Sequence, residues 1–254
     1  MKSKCLLTGA FIGGFFCIFD ALSKGHNGFL NPATLPDSLA ILPPPPTEDS
    51  LSFLLDKARY EAGRTLRDGP HLEQAKSDAD YNNFGIAFSE AFGLEISPTF
   101  TPVLYELLTR VLQDSHDFAL HKAKDHYKRV RPFNYYKDNT CTPDKDKILS
   151  TTGSYPSGHA SFGWAAALVL AEINPTRQNQ ILRRGYDFGT SRVLCGAHWQ
   201  SDVDNGRIMG ATIVAALHSN TDFLHMLDTA KNEFREFLAS KQDQRVKMIQ
   251  DVKG

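Results

Sequence analysis

The sequence predicts an all-α fold, a single-domain helical bundle. Three observations carry this expectation. Apolar residues recur at helical spacing in one segment after another, no convincing stretch alternates as a strand would, and several apolar segments open on capping or first-turn residues. With 254 residues, 41% apolar and 22% charged, the chain can bury one sizeable core and has ordinary globular composition.

The elements follow in order. Lys2 and Lys4 precede an apolar stretch from Cys5 to Phe19, short for a membrane span, and Ala21-Leu22-Ser23 offers small residues where a signal peptidase reads. Residues 1–23 are therefore expected to be a removable leader that directs the mature chain to the periplasm. An uncleaved anchor is the alternative; a lipid anchor at Cys17 is disfavoured by bulky Phe15 and Phe16. Residues 24–46 read as an extended segment ending in the run Pro43 to Pro46. Residues 47–245 read as one all-α domain.

Within that domain, Thr47 or Ser50 caps a helix carrying Leu51, Leu54, Leu55 and Ala58, and a second helix spans about Ala79 to Phe92. From Thr101 to about Val130 a long helix is expected, with Val103, Leu104, Leu107, Leu108, Val111 and Leu112 as one stripe. Further helices are expected at about 158–173, 176–190, 199–218 and 221–240. No later stretch has the length and apolarity of a membrane span. The formal net charge of -1 speaks against nucleic acid or a membrane surface as partner, so any strong positive field must be local. A homo-oligomer is compatible with all of this.

Loss of the leader removes Cys5 and Cys17 and leaves Cys141 and Cys195. In an oxidising compartment these either pair or stay as separate buried thiols. A bridge would close a loop of about 55 residues and stabilise by roughly 4 kcal/mol. Neither cysteine has metal-ligand spacing.

Three segments carry chemistry. In the first, Lys124 and Arg131 are seven residues apart, so on one helix both cations share a face, and Pro132 is expected to stop that helix. In the second, Gly153-Ser154-Tyr155-Pro156-Ser157-Gly158-His159 leads into a small-residue helix. Ser157 can cap or donate, Gly158 lets backbone approach a ligand, and the free N–H groups form an anion site beside His159. In the third, a helix beginning near His198 would put Asp202 one turn along, holding one imidazole nitrogen and leaving the other as a nucleophile. Arg192, six residues before His198, supplies a planar fork for phosphate oxygens. Each segment alone is an ordinary helix feature; the combination in this order is not.

The pattern K-x6-RP, then PSGH, then SR-x5-H-x3-D resembles the acid phosphatase/vanadium haloperoxidase superfamily, which includes the type-2 phosphatidic acid phosphatases. The Leu-Pro-Pro-Pro-Pro run, GSYPSGH and CGAHWQSDV look like its class A bacterial non-specific acid phosphatases, over roughly residues 36–240. The resemblance implies that His198 accepts the phosphoryl group, that Asp202 orients it, and that His159 protonates the leaving oxygen and then activates water. It also implies that Lys124, Arg131, Ser157, Gly158 and Arg192 hold phosphate, with no cofactor and no metal. His116, His121 and His126 are the nearest metal decoy, and on one helix they would diverge by about 140° per step. Gln113 stands where some members carry an acidic residue near the pocket.

The expected substrates are small-molecule phosphate esters or nucleotides. The stretches Gln113 to Asp117 and Thr140 to Asp146 look closer to the periplasmic apyrase branch, which makes nucleoside tri- and diphosphates the alternative. A vanadate-dependent haloperoxidase would use the same anion pocket. A phosphate-binding module would need the cations but neither the His198–Asp202 pair nor His159.

Overall fold

The computed structural model describes residues 27–251, the side chains of 117 and 241–251 excepted; the expected leader lies outside these residues. Its α-helices are α1 (Ser38–Ile41), α2 (Leu51–Thr65), α3 (Gly69–Asp78), α4 (Phe84–Phe92), α5 (Pro102–Leu112), α6 (His121–Tyr127), α7 (Pro132–Tyr136), α8 (Asp146–Leu149), α9 (Gly158–Ile173), α10 (Gln178–Cys195), α11 (Gln200–Leu217) and α12 (Thr221–Asp251). No strand occurs among the described residues. None of these helices is long and apolar enough to cross a membrane.

The bundle is organised around α9, which packs against α10 on one side and α11 on the other. Its Ala165, Ala166, Ala167, Val169 and Leu170 are fully buried, as expected of a helix apolar around its whole circumference. Close approach depends on small residues. A Cβ on Gly206 of α11 would come within 2.5 Å of the Ser157 carbonyl, so glycine there lets α11 reach the start of α9. On another side, Leu104, Leu107, Leu108 and Val111 of α5 join the same core. The N-terminus of α5 is closed from α12, where Glu233 accepts from Val103 N and Leu104 N, both at 3.0 Å. That contact satisfies orphan donors and places a carboxylate at the positive end of the helix.

The long helix expected from Thr101 to Val130 is broken. After α5 a π-helical turn spans Gln113–Phe118, and α6 stops at Tyr127 with Lys128 in the left-handed region (φ 43°). Within the turn Asp114 is buried and accepts from Phe29 N (2.8 Å) and Leu30 N (3.3 Å). The apolar stripe predicted continuity; this polar demand is met by a widened turn, as at other π-bulges. Pro132 does not stop the helix but opens α7 at its first turn, where its missing N–H costs nothing.

Smaller departures have similar causes. Ser50 is the cap of α2, accepting from Phe53 N at 3.1 Å. However, Leu51, Leu54 and Leu55 face solvent, while Phe53, Asp56 and Tyr60 turn inward. Residues 24–46 include the short α1, capped by Asp37. The helix expected from Ala79 begins at Phe84, after a 3-10 turn at Tyr81–Asn83, and α3 before it was not anticipated. α10 runs to Cys195, beyond the expected 190, so Ser191 and Arg192 are helical.

Candidate active site

α10 ends at Gly196, whose φ of 81° suits glycine. Its N–H returns to Val193 O at 2.9 Å, and those of Ala197 and His198 return to Arg192 O at 3.1 and 3.3 Å. Cys141 and Cys195 form a disulfide, with Cα atoms 4.6 Å apart. Arg67 adds hydrogen bonds to Leu194 O (2.6 Å) and Cys195 O (2.9 Å). These ties fix the turn that presents His198, which is 3% exposed.

His198 and Asp202 do not share a helix. α11 begins at Gln200, and Asp202 folds back to accept from Trp199 N at 2.8 Å. This end-of-helix geometry, rather than i, i+4 spacing, brings Asp202 Oδ2 to 3.5 Å from His198 Nδ1. Ser154 Oγ donates to the same carboxylate oxygen and stands 3.5 Å from Nδ1. On the other side of the ring, Nε2 lies 3.1 Å from Arg131 Nη1. A guanidinium can only donate, so Nε2 must be the acceptor and Nδ1 carries the hydrogen. The lone pair therefore sits on Nε2.

Arg131 reaches this nitrogen and Lys124 lines the same cleft through the break after α6, not along one helical face. Arg131 also donates to Ala197 O (3.0 Å), Leu149 O (2.9 Å) and Thr152 Oγ1 (3.0 Å), and Lys124 donates to Gly153 O at 3.1 Å. Arg192, 1% exposed, leaves Nε and Nη1 with no hydrogen-bond partner among the described residues. Burial first, then neighbouring cations, depresses these groups: Lys124 to about 7 and Arg192 to about 10. Burial also lowers Arg131 to about 10, against the opposing pull of Asp202. Three cations gathered around His198 can attract a multiply charged anion.

Ser157 caps α9, its Oγ accepting from Ala160 N at 3.3 Å. Gly158 is needed for space, although the close neighbour is a side chain: a Cβ would lie 2.7 Å from the His116 ring. His159, in the first turn of α9, donates from Nε2 to Ala79 O at 3.2 Å, leaving Nδ1 as the nitrogen that gains or loses a proton. Its pKa falls well below the ordinary imidazole value through burial, then through Arg192, His116 and His198. His198 is depressed likewise by burial, then Arg131, Lys124 and Arg192. In the unliganded site both imidazoles are neutral near pH 7.

A cleft of about 260 Å³ opens onto His198, His159, Lys124 and Arg131. Tyr81, His116 and His121 line it too, with Ile148 and Leu149. The expectation that His116, His121 and His126 diverge fails for the first two, because no single regular helix carries them. Among the described residues no group of three or more His, Cys, Asp or Glu side chains could hold a metal ion. Gln113 does not line the cleft. Sequence reasoning missed two residues behind the site. Arg129 Nη1 donates to Asp202 Oδ1 at 2.6 Å, and its Nη2 to Asp56 Oδ2 at 2.7 Å. Arg129 lies inside the Lys124–Pro132 run and could have been suspected; Asp56 carries no local signal.

Residues 102–224 match the PAP2 superfamily. The chain is 51% identical over 218 residues to a non-specific acid phosphatase of Providencia stuartii, covering 85% of this chain and 88% of that one. It is 40% identical over 219 residues to a non-specific acid phosphatase of Salmonella typhimurium, covering 85% and 88%. An acid phosphatase of Zymomonas mobilis is 37% identical over 202 residues, covering 79% and 76%. The chain belongs to the PAP2 superfamily, among its bacterial non-specific acid phosphatases.

Proposed function

We propose that the protein is an exported acid phosphatase that transfers the phosphoryl group of small phosphate esters first to His198 and then to water. The observation that carries this is the Nε2 lone pair of a neutral His198 lying 3.1 Å from Arg131 Nη1, beside the half-buried Lys124 and the unpartnered donors of Arg192. The equatorial oxygens are held by Arg192 and Lys124, with Arg131 adding its charge from its fixed place beside Nε2 and with the Ser157 hydroxyl and the Gly158 N–H at the start of α9 as further donors. Nε2 attacks phosphorus while the ester P–O bond breaks, and His159 gives its Nδ1 proton to the departing oxygen. Asp202 and Ser154 keep the His198 proton on Nδ1 and offset the positive charge that the ring acquires. Water then attacks the phosphohistidine, His159 takes its proton, and the P–N bond breaks to release phosphate. The cations supply the charge stabilisation that a metal pair supplies in other phosphatases.

The depressed His159 leads to an acidic optimum as the expected pH profile. A bound phosphate dianion offsets Arg192 and its neighbours and so raises the His159 pKa, but protonation is easiest in acid. Export is supported by the Lys2–Ser23 leader pattern and by the Cys141–Cys195 bridge. Edman sequencing of the periplasmic form tests it.

The decisive experiment mixes enzyme with labelled substrate and quenches rapidly. Acid-labile label on His198 is expected, with none in His198→Ala, which should be folded and inactive. Lack of label in the wild-type protein would sink the covalent route and favour a phosphate-binding module. Phosphate release from ATP, ADP, AMP and p-nitrophenyl phosphate under the same conditions decides between broad monoester hydrolysis and the apyrase alternative, which high activity on AMP but not on ATP or ADP would exclude. Bromide oxidation by the vanadate-loaded protein would revive the haloperoxidase reading.

A further inference from the structure

Behind the His198–Asp202 pair lies a second layer of charge. Asp202 is 0% exposed and its Oδ1 receives Arg129 Nη1 at 2.6 Å. The same Nη1 donates to Ser201 Oγ at 2.7 Å, while Nη2 donates to Asp56 Oδ2 at 2.7 Å. Asp56, 2% exposed, closes the ring by accepting from Ser201 N (2.8 Å) and Ser201 Oγ (2.6 Å). α2 thus buries an aspartate while leaving Leu51, Leu54 and Leu55 in solvent. A helix serving only to cover the core would do the reverse.

Charge counting explains why both acids are needed. An arginine bonded to the carboxylate behind a nucleophilic imidazole would cancel the charge that stabilises the ring. Asp56 restores it: two carboxylates and one guanidinium leave one net negative charge behind His198, opposite Lys124, Arg131 and Arg192 in front. We propose that Asp56 and Arg129 are positioning residues for phosphoryl transfer, holding Asp202 in place and keeping the cluster behind His198 net negative when the Nε2–P bond makes the ring cationic. The proposal rests on the reading of His198 as nucleophile.

Asp56→Asn, Arg129→Lys and wild type are compared by steady-state kinetics, rapid-quench labelling of His198, pH profile and thermal melting. In Asp56→Asn, kcat and the labelling rate should fall roughly tenfold with KM within about twofold of wild type. The acid limb of kcat/KM, where His198 takes up a proton, should move to lower pH because a negative charge is gone. The other groups facing His198 are Asp202, Lys124, Arg131, Arg192 and His159, and none is altered. Arg129→Lys keeps the charge but one ammonium cannot reproduce the fork that spans both carboxylates. Its kcat should fall while its acid limb stays. A purely structural tie would lower the melting temperature and leave kcat and the acid limb alone; that result for Asp56→Asn overturns the proposal. Should Asp56→Asn fail to fold, unchanged kcat in Arg129→Lys overturns it instead. Absence of label on wild-type His198 removes the nucleophile assignment itself, an outcome distinct from either.

Discussion

Arg131 and Arg192 are buried beside the same imidazole, yet their guanidinium groups have opposite surroundings. Arg131 is committed at every nitrogen, to the carbonyls of Leu149, Thr152, Gly153 and Ala197, to Thr152 Oγ1 and to His198 Nε2. Arg192 has Nε and Nη1 buried without a partner among the described residues. A buried donor left unmade costs stability, and a buried cation costs more. The first arginine is therefore frame: it holds the 149–153 loop and fixes the tautomer of His198. The second, in the proposed site, is receptor, with two buried donors for an anion to satisfy.

The largest effect expected from this contrast is in Arg131→Ala. Losing the frame should cut kcat/KM by more than about a thousandfold and lower unfolding stability by about 3 kcal/mol in denaturant titration. Replacement of His159 ranks next, because in the proposed reaction its proton matters only to a poor leaving group. His159→Ala should cost roughly 10²–10⁴ in rate on an alkyl phosphate and much less on p-nitrophenyl phosphate. Equal losses on both would remove His159 as the acid. Arg192→Met should weaken vanadate inhibition on the order of 100-fold while leaving the melting temperature unchanged or higher. A lower melting temperature would erase the distinction between frame and receptor.

The smallest effect concerns pH. Lys124 is depressed to about 7 by burial, then by Arg131. Below that pH the free site already carries the charge that an anion needs. Above it each binding event must take up a proton, so affinity for a phosphate dianion should fall about tenfold per pH unit. For the unliganded fold the sign is opposite. The penalty of holding Lys124 charged in the half-buried site is fully present below pH 7 and is relieved as pH rises from about 7 towards the ordinary 10.5. Inhibition constants measured from pH 6 to 9 test the first statement, and calorimetry over the same range tests the second.

Much of the fold is legible in the sequence. The all-α class, with α9 and α11 to within a residue or so, follows from periodicity. The order of the motifs, with the resemblance they carry, singles out Lys124, Arg131, His159, Arg192 and His198, of which the cleft takes in all but Arg192. Such features are local or carried by fixed spacing, so the chain displays them directly. The misreadings share a cause. Lys124 with Arg131, and His198 with Asp202, were placed on common helical faces; in both cases a chain break and a tertiary contact do the work. Apolar periodicity cannot report a π-turn, because the buried Asp114 that accompanies it bonds to residues 84 and 85 positions away. The inward face of α2 was misread for the same reason, since Asp56 answers to Arg129, 73 residues on.

The sequence by itself determined the helical class and the inventory of chemically competent side chains, because both follow from residue type and short-range spacing. Only the tertiary structure decided which nitrogen of His198 holds the lone pair, which arginine is already occupied, and that a second carboxylate stands behind the first. Those depend on hydrogen bonds and charges between residues remote in the chain, in an interior where a few ångströms set which donor has a partner.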